Sequence, residues 1–276
     1  MITIKKPVEP PFDWLAGIVP QIGSPEKWAT QERRCDVHGA YQSTEVPLST
    51  PVWTTCPWCR EDKIRQESIE QQDRRMQALA QLDARRARDI MDMGGIPPRY
   101  LDSTFDVFAV SDDRQNIAVA AAQDYAQALL GGSSANLIIV GGFHVGKTHL
   151  ACSIASRCAF AGLSVSYSTA MRMVQSIRSA RSYRDQGDAK NSDHFASASL
   201  LILDDVGVGY NTASEMVELL DVLDMRYQNR LATVLVSNLD ENALIQYLGP
   251  RIVAKMSEDG LRAIVCAWAA YEGGAR

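Results

Sequence analysis

The segment Gly141-Gly142-Phe143-His144-Val145-Gly146-Lys147-Thr148 has the spacing of a loop that wraps a phosphate. Its glycines let backbone N–H groups turn inward around a β-phosphate. Lys147 is placed to reach the β- and γ-phosphates, and the Thr148 hydroxyl to ligate Mg²⁺. The apolar run NLIIV precedes the segment and the run THLACSIASRCAF follows it, so it falls on a strand-to-helix turn. A glycine-rich turn without a nucleotide lacks that combination. The nucleotide-contacting stretch is read as Gly141 through Thr148 together with His149; Phe143 and His144 fill variable positions.

Two further elements suit the same chemistry. The apolar run LLIL ends in Asp204-Asp205, and carboxylates at the end of a parallel strand open onto the crevice that holds the phosphates. Asp204 suits the Mg²⁺ shell, and Asp205 is placed to orient or activate the attacking water. Taken alone, two such aspartates make a turn. Asn238 follows the run TVLVS, where an amide can hold the lytic water or sense the γ-phosphate; alone, Ser-Asn here is ordinary turn chemistry.

A second chemistry lies near the N-terminus. Cys35-x-x-His38 and Cys56-x-x-Cys59 form two pairs separated by 17 residues, a gap of hairpin length. Three thiolates and an imidazole favour zinc over calcium or magnesium, and a closed set of four leaves no open position, so the role is structural. An iron–sulfur site or free reduced cysteines are the alternatives. Cys152, Cys158 and Cys266 stand singly among apolar neighbours and read as buried small hydrophobes.

The elements that must position these groups differ along the chain. Of 11 prolines, eight precede residue 58, and so do Trp14, Trp28 and Trp53, which marks a loop-rich N-terminal unit over 1–60. Residues 60–92 lack Gly and Pro and carry sparse apolar positions, predicting a helix that is either a solvated connector or buries a narrow stripe on a partner. Gly94-Gly95 ends it, and IPPRY predicts an extended lead-in. Beyond it, helices over 115–130, 147–161, 170–184, 213–229 and 241–248 alternate with strands over 136–140, 163–168, 200–204 and 232–237. That alternation predicts an α/β fold, a parallel sheet covered by helices on both faces. With 276 residues, 46% of them hydrophobic, and a net charge of −5, the chain can bury a sizeable core and is not a disordered acidic tail. No apolar run approaches the ~18 residues of a membrane span and no secretory signal is visible, so a cytoplasmic protein is expected.

Together GIPPRYLDSTFDVF (95–108), GGFHVGKTHLA (141–151), LLILDDVG (200–207), VSN (236–238) and LGPRIVAKM (248–256) resemble the DnaC/DnaI-type helicase loaders of the AAA+ ATPases, with IstB-type transposition helpers as close relatives. The resemblance implies an AAA+ ATPase domain over 96–276, a linking helix over 61–95, and a zinc-binding, partner-docking domain over 1–60. It implies ATP, Mg²⁺ and Zn²⁺ as cofactors. It further implies ATP hydrolysis that is weak in a monomer, a homo-oligomer, and a replicative hexameric helicase and single-stranded DNA as partners. By position it puts Lys147 and Thr148 on the Walker A pair, Asp204 and Asp205 on Walker B, and Asn238 on sensor 1. It also puts an arginine finger in the segment from Gly249 to Met256, where Arg251 and Lys255 are the basic residues and Arg251 is preferred for its bidentate fork. The chain departs from the family after Tyr271, where Glu272 stands in place of the sensor 2 arginine. The IstB-type helper is the alternative reading.

From residue 100 on, acidic residues outnumber basic ones, which argues against a general electrostatic grip on nucleic acid. Arg172, Arg178, Arg181 and Arg184 nevertheless cluster without an intervening acid, beside Tyr183. They suit phosphate contacts and base stacking on single-stranded DNA, or else form a basic helix face paired with a neighbour.

Overall fold

The computed structural model describes residues 28–46, 48, 50–182, 190–208 and 213–270. The chain divides into two compact units, Met1–Leu79 and Ala80–Arg276.

The first unit holds an antiparallel sheet of three strands, β1 (Thr30–Cys35), β2 (Gly39–Val46) and β3 (Val52–Trp53), in that order. The sequence predicts a loop-rich segment here. Strand β1 reads TQERRC and is exposed along nearly its whole length, so no apolar alternation announces it. Cys35 pairs with Gly39 across the β1–β2 turn, which carries His38. Helix α1 (Pro57–Met93) begins at the second cysteine pair. From Arg60 to Arg86 every residue of α1 is exposed, including Ile64, Ile69, Met76, Leu79 and Leu82, in keeping with its sparse apolar pattern.

In the second unit α1 buries Ala87 and Met91 and ends at Gly94-Gly95. The lead-in is not extended throughout: Pro98–Tyr100 closes a 3₁₀ turn, with Tyr100 N–H donating to Pro97 O at 2.8 Å. A five-stranded sheet follows, built from β4 (Asn136–Gly141), β5 (Val165–Thr169), β6 (Leu200–Asp204), β7 (Ala232–Ser237) and β8 (Leu261–Cys266). Its order is β5-β6-β7-β4-β8, and every pairing is parallel. The helices are α2 (Asp113–Leu130), α3 (Lys147–Phe160), α4 (Ala170–Ser182), α5 (Lys190–Ser197), α6 (Ala213–Gln228) and α7 (Glu241–Glu258).

The strand period of two sorts the core into two layers. On β4, Leu137 and Ile139 join Tyr125 of α2 and Leu150 and Ile154 of α3. Ile138 and Val140 join Ile177 of α4, Leu219 and Val222 of α6, and Leu244 and Ile252 of α7. Burial on both faces explains why these strands read as continuous apolar runs.

Further elements of the second unit differ from the sequence reading, which expects no strand where β8 lies. The polar stretch after α4 contains α5, and α7 continues past residue 248, across a break at Gly249 (φ 76°) followed by Pro250. Among the described residues, no helix is long and apolar enough to cross a membrane.

Arg226 of α6 is only 1% exposed, and it is held by hydrogen-bond acceptors rather than by a carboxylate. It donates to Phe195 O and Ala198 O at 2.8 and 2.9 Å, to Ala232 O at 2.5 Å and to Thr233 Oγ1 at 3.0 Å. Burial pulls its pKa down to about 10. Arg226→Met would leave these buried acceptors without a donor, so it is expected to cost about 3 kcal/mol or more, read as a lowered midpoint in urea melts.

Candidate nucleotide site and metal cluster

The nucleotide motif lies where parallel strands deliver it. The loop leaves β4 and opens α3, Asp204 ends β6, and Asn238 follows β7, which lies between those two strands. Gly146 takes φ 92° at the helix start, and a Cβ there would stand 2.7 Å from the Phe108 ring. Only glycine meets both demands.

The side chains converge. Lys147 Nζ donates to Asn238 Oδ1 at 2.7 Å and to Gly142 O at 2.5 Å. Thr148 Oγ1 donates to Asp204 Oδ2 at 2.8 Å. Asp204 is buried, and its other oxygen accepts the Asp205 N–H at 2.8 Å. Burial lowers the Lys147 pKa, although Cys266, Asp204 and Asp205 oppose that shift. Desolvation and then the Asp204 charge raise the Asp205 carboxyl above its ordinary range. Among the described residues only His144 (φ 59°), Asp205 (φ 55°) and Arg230 (φ 52°) are non-glycine with positive φ, and the first two belong to this site. Such backbone persists only where the surroundings hold it.

The remaining loop positions diverge. Phe143 is 69% exposed. Val145 is buried, and its carbonyl accepts from Trp268 Nε1 at 3.0 Å. Gly141 lies beside Cys266 of β8. His149 turns toward the lead-in, its Nε2 within 3.1 Å of Thr104 O and its ring edge-on to Phe108 at 5.4 Å.

The structure separates the two basic candidates in α7. Lys255 is held by a hydrogen-bonded ion pair to Asp224 and is half-buried. Arg251, in the first turn after the Gly249 break, lies 3.7 Å from the same Asp224 and its side chain is 73% exposed. Arg251 is therefore the one extended into solvent. Arg172 and Arg178 lie exposed on α4, Arg181 falls in its last turn, and Arg184 lies outside the described residues, as do Glu272 and Arg276.

Sequence reasoning missed Tyr167, Trp268 and Asp224. Tyr167 donates its hydroxyl to Asp204 Oδ2 at 2.8 Å. Burial, and then the Asp204 charge, push its phenol well above the ordinary range, so it is a donor at neutral pH. The signal was available: Tyr167 lies on the strand next to the acidic one, paired with Ile202, two residues before Asp204.

In the first unit Cys35, His38, Cys56 and Cys59 present ligand atoms within 4.8 Å of one another. Cys35 Sγ and Cys59 Sγ are 3.4 Å apart, and His38 Nδ1 lies 3.9, 3.7 and 3.3 Å from the sulfurs of Cys35, Cys56 and Cys59. A zinc tetrahedron with Zn–S near 2.3 Å and Zn–N near 2.0 Å has edges of about 3.5–3.8 Å, so the set fits that ion. Backbone N–H groups of His38 and Val37 lower the Cys35 pKa to about 6, as suits a thiolate ligand. His38 Nε2 lies 3.2 Å from Asp62 of α1, an outer carboxylate that orients the ring.

A family model described as an IstB-like ATP binding protein matches residues 69–260, more than half of the chain. The chain belongs to the IstB-like ATP binding protein family. Similar proteins include the uncharacterized protein YdaV of Escherichia coli K12, 27% identical over 229 residues, which are 81% of this IstB-like chain and 88% of YdaV. The replicative helicase loader DnaC of the same strain is 23% identical over 217 residues, 78% of this chain and 84% of DnaC. The crystal structure of the DnaC helicase loader superposes with a TM-score of 0.55 at 20% identity, covering 61% of this chain and 99% of that one. The crystal structure of DnaI gives 0.50 at 21%, covering 63% and 93%. The IstB-like chain thus shares the fold of these two structures.

Proposed function

We propose that the chain is an ATP-driven loader that places a replicative hexameric helicase on single-stranded DNA. The observation that carries this reading is the two hydrogen bonds, Lys147 to Asn238 and Thr148 to Asp204, that join neighbouring residues of the loop to the ends of β7 and β6. Such an arrangement can bind the phosphates of ATP, and Thr148 and Asp204 are the residues that would hold Mg²⁺ to neutralise phosphate charge. Asp205 directs water onto the γ-phosphate, and Asn238 senses that phosphate beside Lys147. The likeness to DnaC supports the helicase as partner. In this reading residues 1–60 dock the partner through a zinc-held fold, 61–95 link, and 96–276 form the ATPase. Arg172, Arg178, Arg181 and Arg184 contact the DNA, in the cytoplasm.

Arg251, exposed and only loosely paired, acts in trans on a neighbouring copy's ATP, which makes the working form a homo-oligomer. The expected result is an ATPase rate per chain that rises steeply with protein concentration or with single-stranded DNA. Arg251→Ala should lower that rate on the order of a hundredfold, toward that of the dilute protein. A concentration-independent rate unaffected by Arg251→Ala would sink the finger assignment.

The IstB-like family match favours a second reading, a transposition helper with the same ATPase and a different partner. Co-purification separates the two. Retention of a hexameric helicase by the full chain supports the loader, and retention of a transposase with duplex DNA supports the helper.

A further inference from the structure

We propose that Tyr167 is a positioning residue for the metal-side carboxylate of the nucleotide site, and that it ties this carboxylate to the C-terminal end of α1. The inference rests on the ATP-binding reading above and adds a residue to it.

Asp204 is 6% exposed and accepts three donors. One oxygen takes the Asp205 N–H at 2.8 Å; the other takes the hydroxyls of Thr148 and Tyr167, each at 2.8 Å. These donors are not equivalent. Thr148 belongs to the phosphate loop and is itself the metal ligand, so its hydroxyl answers to the metal. The Asp205 N–H belongs to the turn after β6. Tyr167 reaches Asp204 from β5, the edge strand beside β6, and is the one side-chain donor anchored in the sheet. A phenylalanine would fill the same volume without supplying that bond. The tyrosine hydroxyl thus fixes which way the buried carboxylate faces.

The backbone of the same residue points to the second half of the proposal. Tyr167 N–H donates to Gly94 O at 2.7 Å, at the residue where α1 ends. The approach is close: a Cβ on Gly94 would stand 2.3 Å from Val165 O, and one on Gly95 would stand 3.1 Å from Tyr167 O. Two bonds, Gly94 O to Tyr167 N–H and Tyr167 OH to Asp204, therefore lead from the end of α1 to the metal side of the site.

The test uses the full chain and a fluorescent ATP analogue titrated at varied Mg²⁺. Outer partners of a metal ligand are typically worth tenfold or more in metal affinity. Tyr167→Phe is expected to raise the Mg²⁺ concentration for half-maximal binding about tenfold, while affinity for the analogue in chelator stays within about twofold of the parent. An unchanged Mg²⁺ midpoint overturns the proposal. So does an equal loss with and without Mg²⁺, which marks a merely structural residue. A parent chain that binds no analogue under any condition instead overturns the ATP-binding reading. Hydrogen exchange reads the link to α1. Mg²⁺ with the analogue should slow the backbone amide of residue 167 in the parent and not in Tyr167→Phe. Equal slowing in both removes that half of the proposal.

Discussion

Replacing Asp205 with asparagine is expected to leave ATP bound and to slow its hydrolysis about a hundredfold or more. The residue follows Asp204, and its φ of 55° turns it out of line with the strand that delivers it. Its carboxyl is partly desolvated and faces the charge of Asp204, and both raise its pKa toward that of a useful proton acceptor. Asparagine tolerates the same backbone and keeps the shape, but it cannot take a proton from water. Equilibrium binding of a fluorescent ATP analogue and phosphate release under single turnover separate the two effects. Hydrolysis at the parent rate would remove Asp205 from the mechanism. Lost binding would make it a structural member of the turn.

The second large effect concerns the first unit. Among its described residues the buried hydrophobic side chains are Trp28, Val46 and Cys56. Those three contribute little against the ordering of a three-stranded sheet, since each residue fixed costs about 1–2 kcal/mol in backbone entropy. Two sulfurs 3.4 Å apart also need a cation between them once ionised, and Cys59 beside Cys35 has its thiol pushed up to about 12 without one. Zinc would supply both the cation and the cross-link. Cys59→Ser, or a strong chelator, is expected to abolish stoichiometric zinc and to open residues 30–56 to proteolysis, with nucleotide binding by the second unit retained. Elemental analysis and limited digestion measure this. A native protein purified without zinc or iron, yet protected from protease, would refute the metal-held fold.

Much of the candidate site was legible because the chemistry it suits fixes residue types at short spacing. The loop from Gly141 to Thr148, the Asp204-Asp205 pair and Asn238 each end an apolar run, and the parallel sheet brings those ends together. What escaped notice lacked a pattern. Strand β8 carries Arg262 and alternates exposure imperfectly, so LRAIVC did not stand out after a helix. Strand β1 has no buried face to print a period on its sequence. Tyr167 went unread because its partner is 37 residues away and known only from the pairing of β5 with β6. Residue type, not spacing, prefers Arg251 over Lys255; Asp224, from α6, adds a structural distinction between them.

The placement of the cysteines also bears on chemical labelling. All six are free thiols, but Cys152, Cys158 and Cys266 are fully enclosed in the second unit. Burial raises all three, Cys158 and Cys266 to about 12, and so removes the thiolate that alkylating reagents attack. A maleimide or iodoacetamide added to the native chain therefore spares Cys152, Cys158 and Cys266, and a chelator that strips the Cys35, Cys56 and Cys59 cluster of its metal should direct the reagent there. Chelation followed by one reagent can thus attach a dye or cross-linker to the first unit, without mutagenesis, and leave the thiols of the second unit untouched.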